Sequence, residues 1–152
     1  METRDQKFYA GGLRFSCTRC SDCCRHEAGF VFLSQADLRL LAEGLQKEYT
    51  EIMESYCRWV PTLVPALGGS EQLSLKEKSN FDCIFWQDGC TVYQSRPLQC
   101  RTFPFWESVL CSPHIWEGLS CPGTGHGQLH SREYIESCLA QRRAEPILVR
   151  NT

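Results

Sequence analysis

Four cysteines fall within eight residues, Cys17-Thr18-Arg19-Cys20-Ser21-Asp22-Cys23-Cys24. Thiols this close in sequence can converge on one point, and converging thiolates need a cation between them. CxxC spacing suits a soft metal, because two intervening residues let the backbone wrap one ion with both sulfurs turned inward. On a helix, positions 17, 20 and 24 share one face. Cys23 then points partly away, toward a second ion or the far side of a cluster. Disulfides are disfavoured here, since adjacent cysteines and CxxC pairs give poor bridging geometry.

The cysteine count bears on the compartment. The chain has 152 residues and 11 cysteines, so an all-disulfide scheme leaves one thiol over. The first residues, Met1-Glu2-Thr3-Arg4-Asp5-Gln6-Lys7, are polar and do not read as a secretory leader. A reducing cytoplasm, which keeps thiols available for metal, is the expected location. A secreted chain stripped of its leader is the alternative. No stretch is long and apolar enough to suggest a membrane span. The net charge of -2 is spread in mixed sign, without the basic stripe expected of a nucleic-acid binder. The length suits one domain with its own core.

The pattern of elements predicts a small α+β domain, loop-rich, with helices and a short antiparallel hairpin around a cysteine metal site. Residues 1–16 read as an extended lead-in with a turn at Gly11-Gly12. Gly29 to Leu33 is a short apolar run. Ser34, with Asp37 three residues later, starts a helix carrying Leu38, Leu41 and Leu45. Tyr49, Ile52, Met53, Tyr56 and Val60 continue a helical stripe that Pro61 and Pro65 stop. Leu67 to Ser70 is a loop, and Gln72 to Phe81 is extended in part. Cys83–Trp86 and Cys90–Tyr93 flank Asp88-Gly89, a hairpin signal. Arg96-Pro97 opens a short helical turn bearing Cys100, which Phe103-Pro104-Phe105 ends. Cys121 to Gly127 reads as a glycine-rich loop. Ser131 caps a last helix whose face is Tyr134, Ile135, Cys138 and Leu139. The expected domain covers residues 1–145, and residues 146–152 are expected to trail as a flexible tail.

The later cysteines turn a local signal into a constellation. Cys83-x6-Cys90 is followed by Tyr93-Gln-Ser-Arg96-Pro97-Leu-Gln-Cys100-Arg101-Thr-Phe103-Pro104-Phe105 and then by Cys121-x-Gly123. With the opening CxxCxxCC, these residues resemble the CxxCxxCC proteins, a zinc- or iron-chelating domain family that includes the YkgJ-like cysteine-cluster proteins. The resemblance spans about residues 15 to 127, and the helix from Ser34 to Leu41 sits where that family has one. Where the family often carries a glycine between its second and third cysteines, this chain has Ser21-Asp22. The resemblance implies metal chelation by Cys17, Cys20, Cys23, Cys24, Cys83, Cys90, Cys100 and Cys121. It implies no particular reaction.

Eight thiolates divide into two sets of four. Two zinc ions, a [4Fe-4S] cluster with one zinc, or a multinuclear site with bridging sulfur all satisfy that count. Ionising eight thiols and adding two divalent ions takes the formal charge from -2 to -6 (-2 - 8 + 4). Charge of that size calls for donors nearby. Arg96 and Arg101 are the expected donors around the bound cofactor, ahead of Arg19 and Arg25. The aromatic run Phe103 to Trp106 is expected to wall the site from water. His26, His126 and His130 are weaker ligand candidates, and His114 sits in no motif. Cys57 and Cys138, on expected helices, read as small buried apolar residues. Cys111 has no assigned role.

Three functions are consistent with this pattern. The first is a metal-binding module whose thiolate-held ions keep the fold together. The second is an iron–sulfur or multinuclear iron protein doing redox or enzymatic work beside a modifying enzyme. The third, thiol–disulfide exchange, lacks a thioredoxin-like βαβ context. No hydrolase motif, metalloprotease HExxH or phosphate loop is present. Catalytic residues, a protein partner and the oligomeric state stay open at this level.

Overall fold

The computed structural model describes residues 7–17, 30–62, 69–119 and 121–151. Helices and antiparallel sheets mix in a small α+β fold. In chain order the elements are β1 (Leu13–Phe15), α1 (Gln35–Leu45), α2 (Tyr49–Tyr56), β2 (Cys57–Pro61), β3 (Ser70–Leu75), α3 (Leu98–Thr102), α4 (Glu107–Leu110), α5 (Pro113–Glu117), β4 (Thr124–His130), α6 (Arg132–Ala144) and β5 (Val149–Asn151). Strands β1 and β4 make a two-stranded antiparallel ribbon. Strands β2, β3 and β5 make a three-stranded sheet with β3 in the centre.

Helix α1 begins as its sequence dictates. The Ser34 hydroxyl accepts from Asp37 N, and the Asp37 carboxylate accepts from Ser34 N, a reciprocal cap. Gln46, in a left-handed conformation, ends the helix. Leu38 and Leu41 are fully buried against Leu33, Ile52, Leu73 and Leu75. Each such leucine contributes roughly 1.5–3 kcal/mol by leaving water. This apolar cluster therefore holds α1 and α2 on the three-stranded sheet.

The helical stripe expected through Val60 stops at Tyr56. Cys57 opens β2 instead, paired in register from Cys57 with Leu75 to Pro61 with Glu71. Continuous pairing of Cys57 through Pro61 with β3 overrides the helical spacing. Pro61 is tolerated because β2 lies at the sheet edge. Pro65 and the first part of the following loop lie outside the described residues.

The chain end also departs from expectation. Val149–Asn151 is not a loose tail but pairs with the first half of β3. The second half of that same edge takes residues 31–33: Leu33 N donates to Leu73 O, and Leu75 N donates to Val31 O. Leu148 N donates to Leu33 O at the junction. Backbone groups that would otherwise face water or an open edge are thereby paired.

A second apolar cluster gathers Tyr9, Phe15, Phe105, Val109, Leu110, Trp116, Ile135, Cys138 and Leu139 around α6. Helix α3 sits between this cluster and the first. Leu98 is fully buried, and its backbone N–H is held by Asp37 of α1 at 2.8 Å. Among the described residues no helix is long and apolar enough to cross a membrane.

Candidate metal centre

Each described motif cysteine sits on a segment whose position the fold fixes. In the ribbon, Leu13 pairs with His130 and Phe15 with Thr124. Running that register one step on places Ser16 against Gly123, and brings Cys17 and Cys121 to the same end of the ribbon. The contact is tight: a Cβ on Gly123 would collide with the Ser16 carbonyl oxygen. Glycine at this position is what lets the two cysteine-bearing segments approach. Ser16 Oγ also accepts from Gln128 N at 2.8 Å, and His130 Nε2 donates to Phe15 O at 2.9 Å. The stretch read as a glycine loop is thus half strand. Gly125 and Gly127, at φ of 81° and 83°, supply the irregularity that sequence alone suggested was a loop.

Cys83 and Cys90 flank a tight turn. Trp86 bridges Cys90, Gln87 N donates to Gly89 O, and Asp88 and Gly89 both take positive φ. The turn is as expected, but the two flanking strands are not. Cys83 bridges back to Glu77, so the arms diverge after one bridge and no ladder forms. Both cysteines are half-buried beside the first apolar cluster.

Cys100 is half-buried on α3. The residue before it makes three ties. Gln99 Oε1 accepts from Phe32 N at 3.0 Å, Gln99 Nε2 donates to Phe30 O at 2.7 Å, and Gln99 O accepts from Trp106 Nε1 at 2.9 Å. No sequence signal singles out Gln99, which occupies an unspecified position of the Arg-Pro-x-x-Cys block. The neighbouring arginines knit the same block. Arg96 Nε donates to Tyr93 O with its guanidinium 3.8 Å over the Tyr93 ring, and Arg101 Nε donates to Arg96 O. Their Nε donors are used on backbone carbonyls. The positive charge of Arg101 reaches Tyr134, where it counters the upward pull of burial on the phenol.

Aromatic rings back the site. Phe103 packs edge-on against both Phe15 and Trp106, and Phe103, Trp106 and Cys121 all lie against the second apolar cluster. His130 stacks on Tyr134 and meets Phe105 edge-on.

The described cysteines fall into classes by burial. Cys17 is exposed, and Cys83, Cys90, Cys100 and Cys121 are half-buried. Cys57 and Cys138 are buried, and Cys111 is exposed. Burial pushes the Cys57 thiol up to about 12 and raises Cys138 as well, so both stay protonated at neutral pH. Their expected place in the apolar interior is what the structure shows, with Cys57 on a strand rather than a helix. Cys20, Cys23 and Cys24, with Arg19, Arg25 and His26, lie outside the described residues. Among the described residues no group of three or more His, Cys, Asp or Glu side chains is placed to hold a metal ion.

Comparison with known proteins agrees with this arrangement of motifs. The CxxCxxCC family, whose description reads "Putative zinc- or iron-chelating domain", matches residues 16–132. An uncharacterized protein of Methanocaldococcus jannaschii is 29% identical over 110 residues, which cover 69% of this chain and 53% of that protein. The chain thus spans about half the length of this relative. No solved structure matches the chain. The match runs from Ser16 through the Arg96–Phe105 block and the Cys121 ribbon, and the chain belongs to the CxxCxxCC family of zinc- or iron-chelating domains.

Proposed function

We propose that the chain binds zinc or iron through Cys17, Cys20, Cys23, Cys24, Cys83, Cys90, Cys100 and Cys121, and that the bound ions hold its cysteine-bearing segments together. The observation that carries this reading is the β1–β4 register, which brings Cys17 and Cys121 from opposite ends of the family region to one end of a ribbon. The donor chemistry fits a soft divalent ion, because the described motif cysteines stay accessible while Cys57 and Cys138 are sealed in the core. A thiolate-bound ion supplies a cross-link worth on the order of 10–16 kcal/mol in small zinc modules. That equals or exceeds the roughly 5–15 kcal/mol net stability of a typical domain. Arg96 and Arg101 offset the negative charge of the thiolates from the Cys100 block. In this reading the chain, with β5 paired into its sheet, acts as one cysteine-cluster unit in the cytoplasm.

A second reading is a redox or enzymatic iron centre, with a [4Fe-4S] cluster among its forms, working beside a modifying enzyme. The aromatic packing of Phe15, Phe103 and Trp106 next to Cys121 favours it, since an apolar shell tunes a cluster's potential.

Elemental analysis of anaerobically purified protein tests both. Zinc with colourless protein supports the first reading, and iron with brown protein supports the second. In either case Cys20→Ser and Cys100→Ser are expected to release metal and lower the melting temperature. Full metal content after either change removes that cysteine from the ligand set.

A further inference from the structure

We propose that Gln99 is a positioning residue for the metal centre: its side-chain amide holds the segment leaving the N-terminal cysteine cluster in register with Cys100. The inference rests on the metal reading above and adds a residue outside its ligand set.

The geometry is that of a strand edge completed by one side chain. In the segment 30–33 the odd residues turn their backbone groups to the sheet: Val31 O and Leu33 N bond to β3, and Leu33 O accepts from Leu148 N, just before β5. The even residues turn the other way. There Phe30 O and Phe32 N meet no strand; they meet the carboxamide of Gln99, donor to acceptor and acceptor to donor, at 2.7 and 3.0 Å. A primary amide offers the same donor–acceptor pair that a neighbouring strand would. Six positions separate Phe30 from Cys24, and Gln99 adjoins Cys100 in sequence.

Gln99 is itself immobilised. Its carbonyl takes the Trp106 indole N–H, and the residue before it is bonded to Asp37. The fold does not need this clamp to place the segment on the sheet, because Leu33 is fully buried and bonded to β3 and Leu148. What the clamp fixes is the lateral spacing between that segment and α3. Groups that orient ligands without touching the metal typically change metal affinity by about 10–100-fold when removed.

The test compares wild type, Gln99→Met, Gln99→Glu and Cys100→Ser in the full chain. Zn(II) affinity is read by chelator competition, the Co(II)-loaded form by its charge-transfer spectrum, and the fold by amide hydrogen exchange. Gln99→Met keeps the side-chain length and loses both bonds. Its Zn(II) affinity is expected to fall about 10–100-fold, its Co(II) bands to shift, and the Phe32 amide to lose protection. The Leu33 and Leu75 amides should keep theirs. Gln99→Glu retains only the bond from Phe32 N and should fall between. Its added carboxylate attracts a cation, so a loss in that variant comes from geometry.

Wild-type affinity and spectrum in Gln99→Met overturn the proposal. So does a loss of protection at Leu33 and Leu75 equal to that at Phe32, or failure of both Gln99 variants to fold with Zn(II), since either result makes Gln99 a general structural residue. Cys100→Ser separates the two levels. If it keeps full metal, Cys100 is not a ligand and the metal reading fails at that position; if it loses metal while Gln99→Met does not, only the positioning role fails.

Discussion

Asp37 Oδ1 accepts the Leu98 backbone N–H at 2.8 Å while Asp37 Oδ2 accepts the Ser34 N–H at 2.9 Å, so one carboxylate caps α1 and docks the Cys100 block on it. The side chain is 1% exposed. Asp37→Ala leaves two buried N–H groups without acceptors, an expected loss of roughly 3 kcal/mol. Asp37→Asn keeps one acceptor and turns a donor toward the other N–H, so it should cost less than alanine but still more than a surface change. Urea unfolding of the metal-loaded protein reads both. A shift under about 0.5 kcal/mol for Asp37→Ala, the size of an ordinary surface substitution, would show that the docking bond contributes nothing net.

Gly123 and Gly125 make a matched pair for the ribbon. A Cβ at Gly123 strikes the Ser16 carbonyl, beside Cys17. At Gly125 nothing lies within 4 Å, although φ is +81°. Both alanine variants should lose stability, Gly123→Ala by about 1–3 kcal/mol from overpacking and Gly125→Ala by about 1–2 kcal/mol from left-handed strain. Only Gly123→Ala should also lower metal content, because only it pushes Ser16 away from the Cys121 segment. Equal metal content in the two purified variants would detach the ribbon end from the metal site.

The α+β class, the α1 cap, the turn at Asp88-Gly89 and the last helix were legible because each rests on short-range rules: a serine with an aspartate three residues on, a glycine in a turn, an apolar stripe. The errors share one cause, which is pairing with residues far along the chain. Cys57 to Val60 reads as helix until β3 is opposite it, residues 149–151 read as tail until β3 offers a free edge, and Gly123 to Gly127 reads as loop until Ser16 packs on it. The ligand candidates were legible as residue types, since clustered cysteines need no partner to be noticed. The Gln99 clamp was not, because a glutamine carries no pattern and its meaning lies in backbone groups of residues 30 and 32.

The three cysteines outside the motif should be separable from it by thiol labelling. Cys111 is exposed, with its Sγ–H directed to Ser108 O at 3.4 Å, whereas Cys138 is buried against Ile135 and Leu139, beside the Tyr134 hydroxyl. A thiol-alkylating reagent is expected to modify Cys111 with or without metal, the motif cysteines only after chelation, and Cys138 only after unfolding. Peptide mapping by mass spectrometry follows all three. Cys138→Ser should retain the metal of wild type, and a stoichiometric loss in that variant would place Cys138 among the ligands.

Cys57 should leave a signature in alkaline stability. Burial drives its thiol from an ordinary 9.0 up to about 12, with Lys76 pulling the other way. Between about pH 9 and pH 12 the unfolded chain releases a proton that the folded chain keeps, so stability falls as pH rises through that window. Below pH 9 both states hold the proton, and the contribution is fully present. The slope from one such group approaches about 1.4 kcal/mol per pH unit. Cys57→Ala costs on the order of 1 kcal/mol for the lost buried atom at neutral pH, and then removes this slope. Denaturation midpoints of wild type and variant should therefore converge as the pH is raised from 8.5, meet near about pH 10 and cross by pH 11, where the wild type is the less stable of the two. Parallel curves across that range would mean that the Cys57 thiol ionises in the folded chain as readily as in the unfolded one.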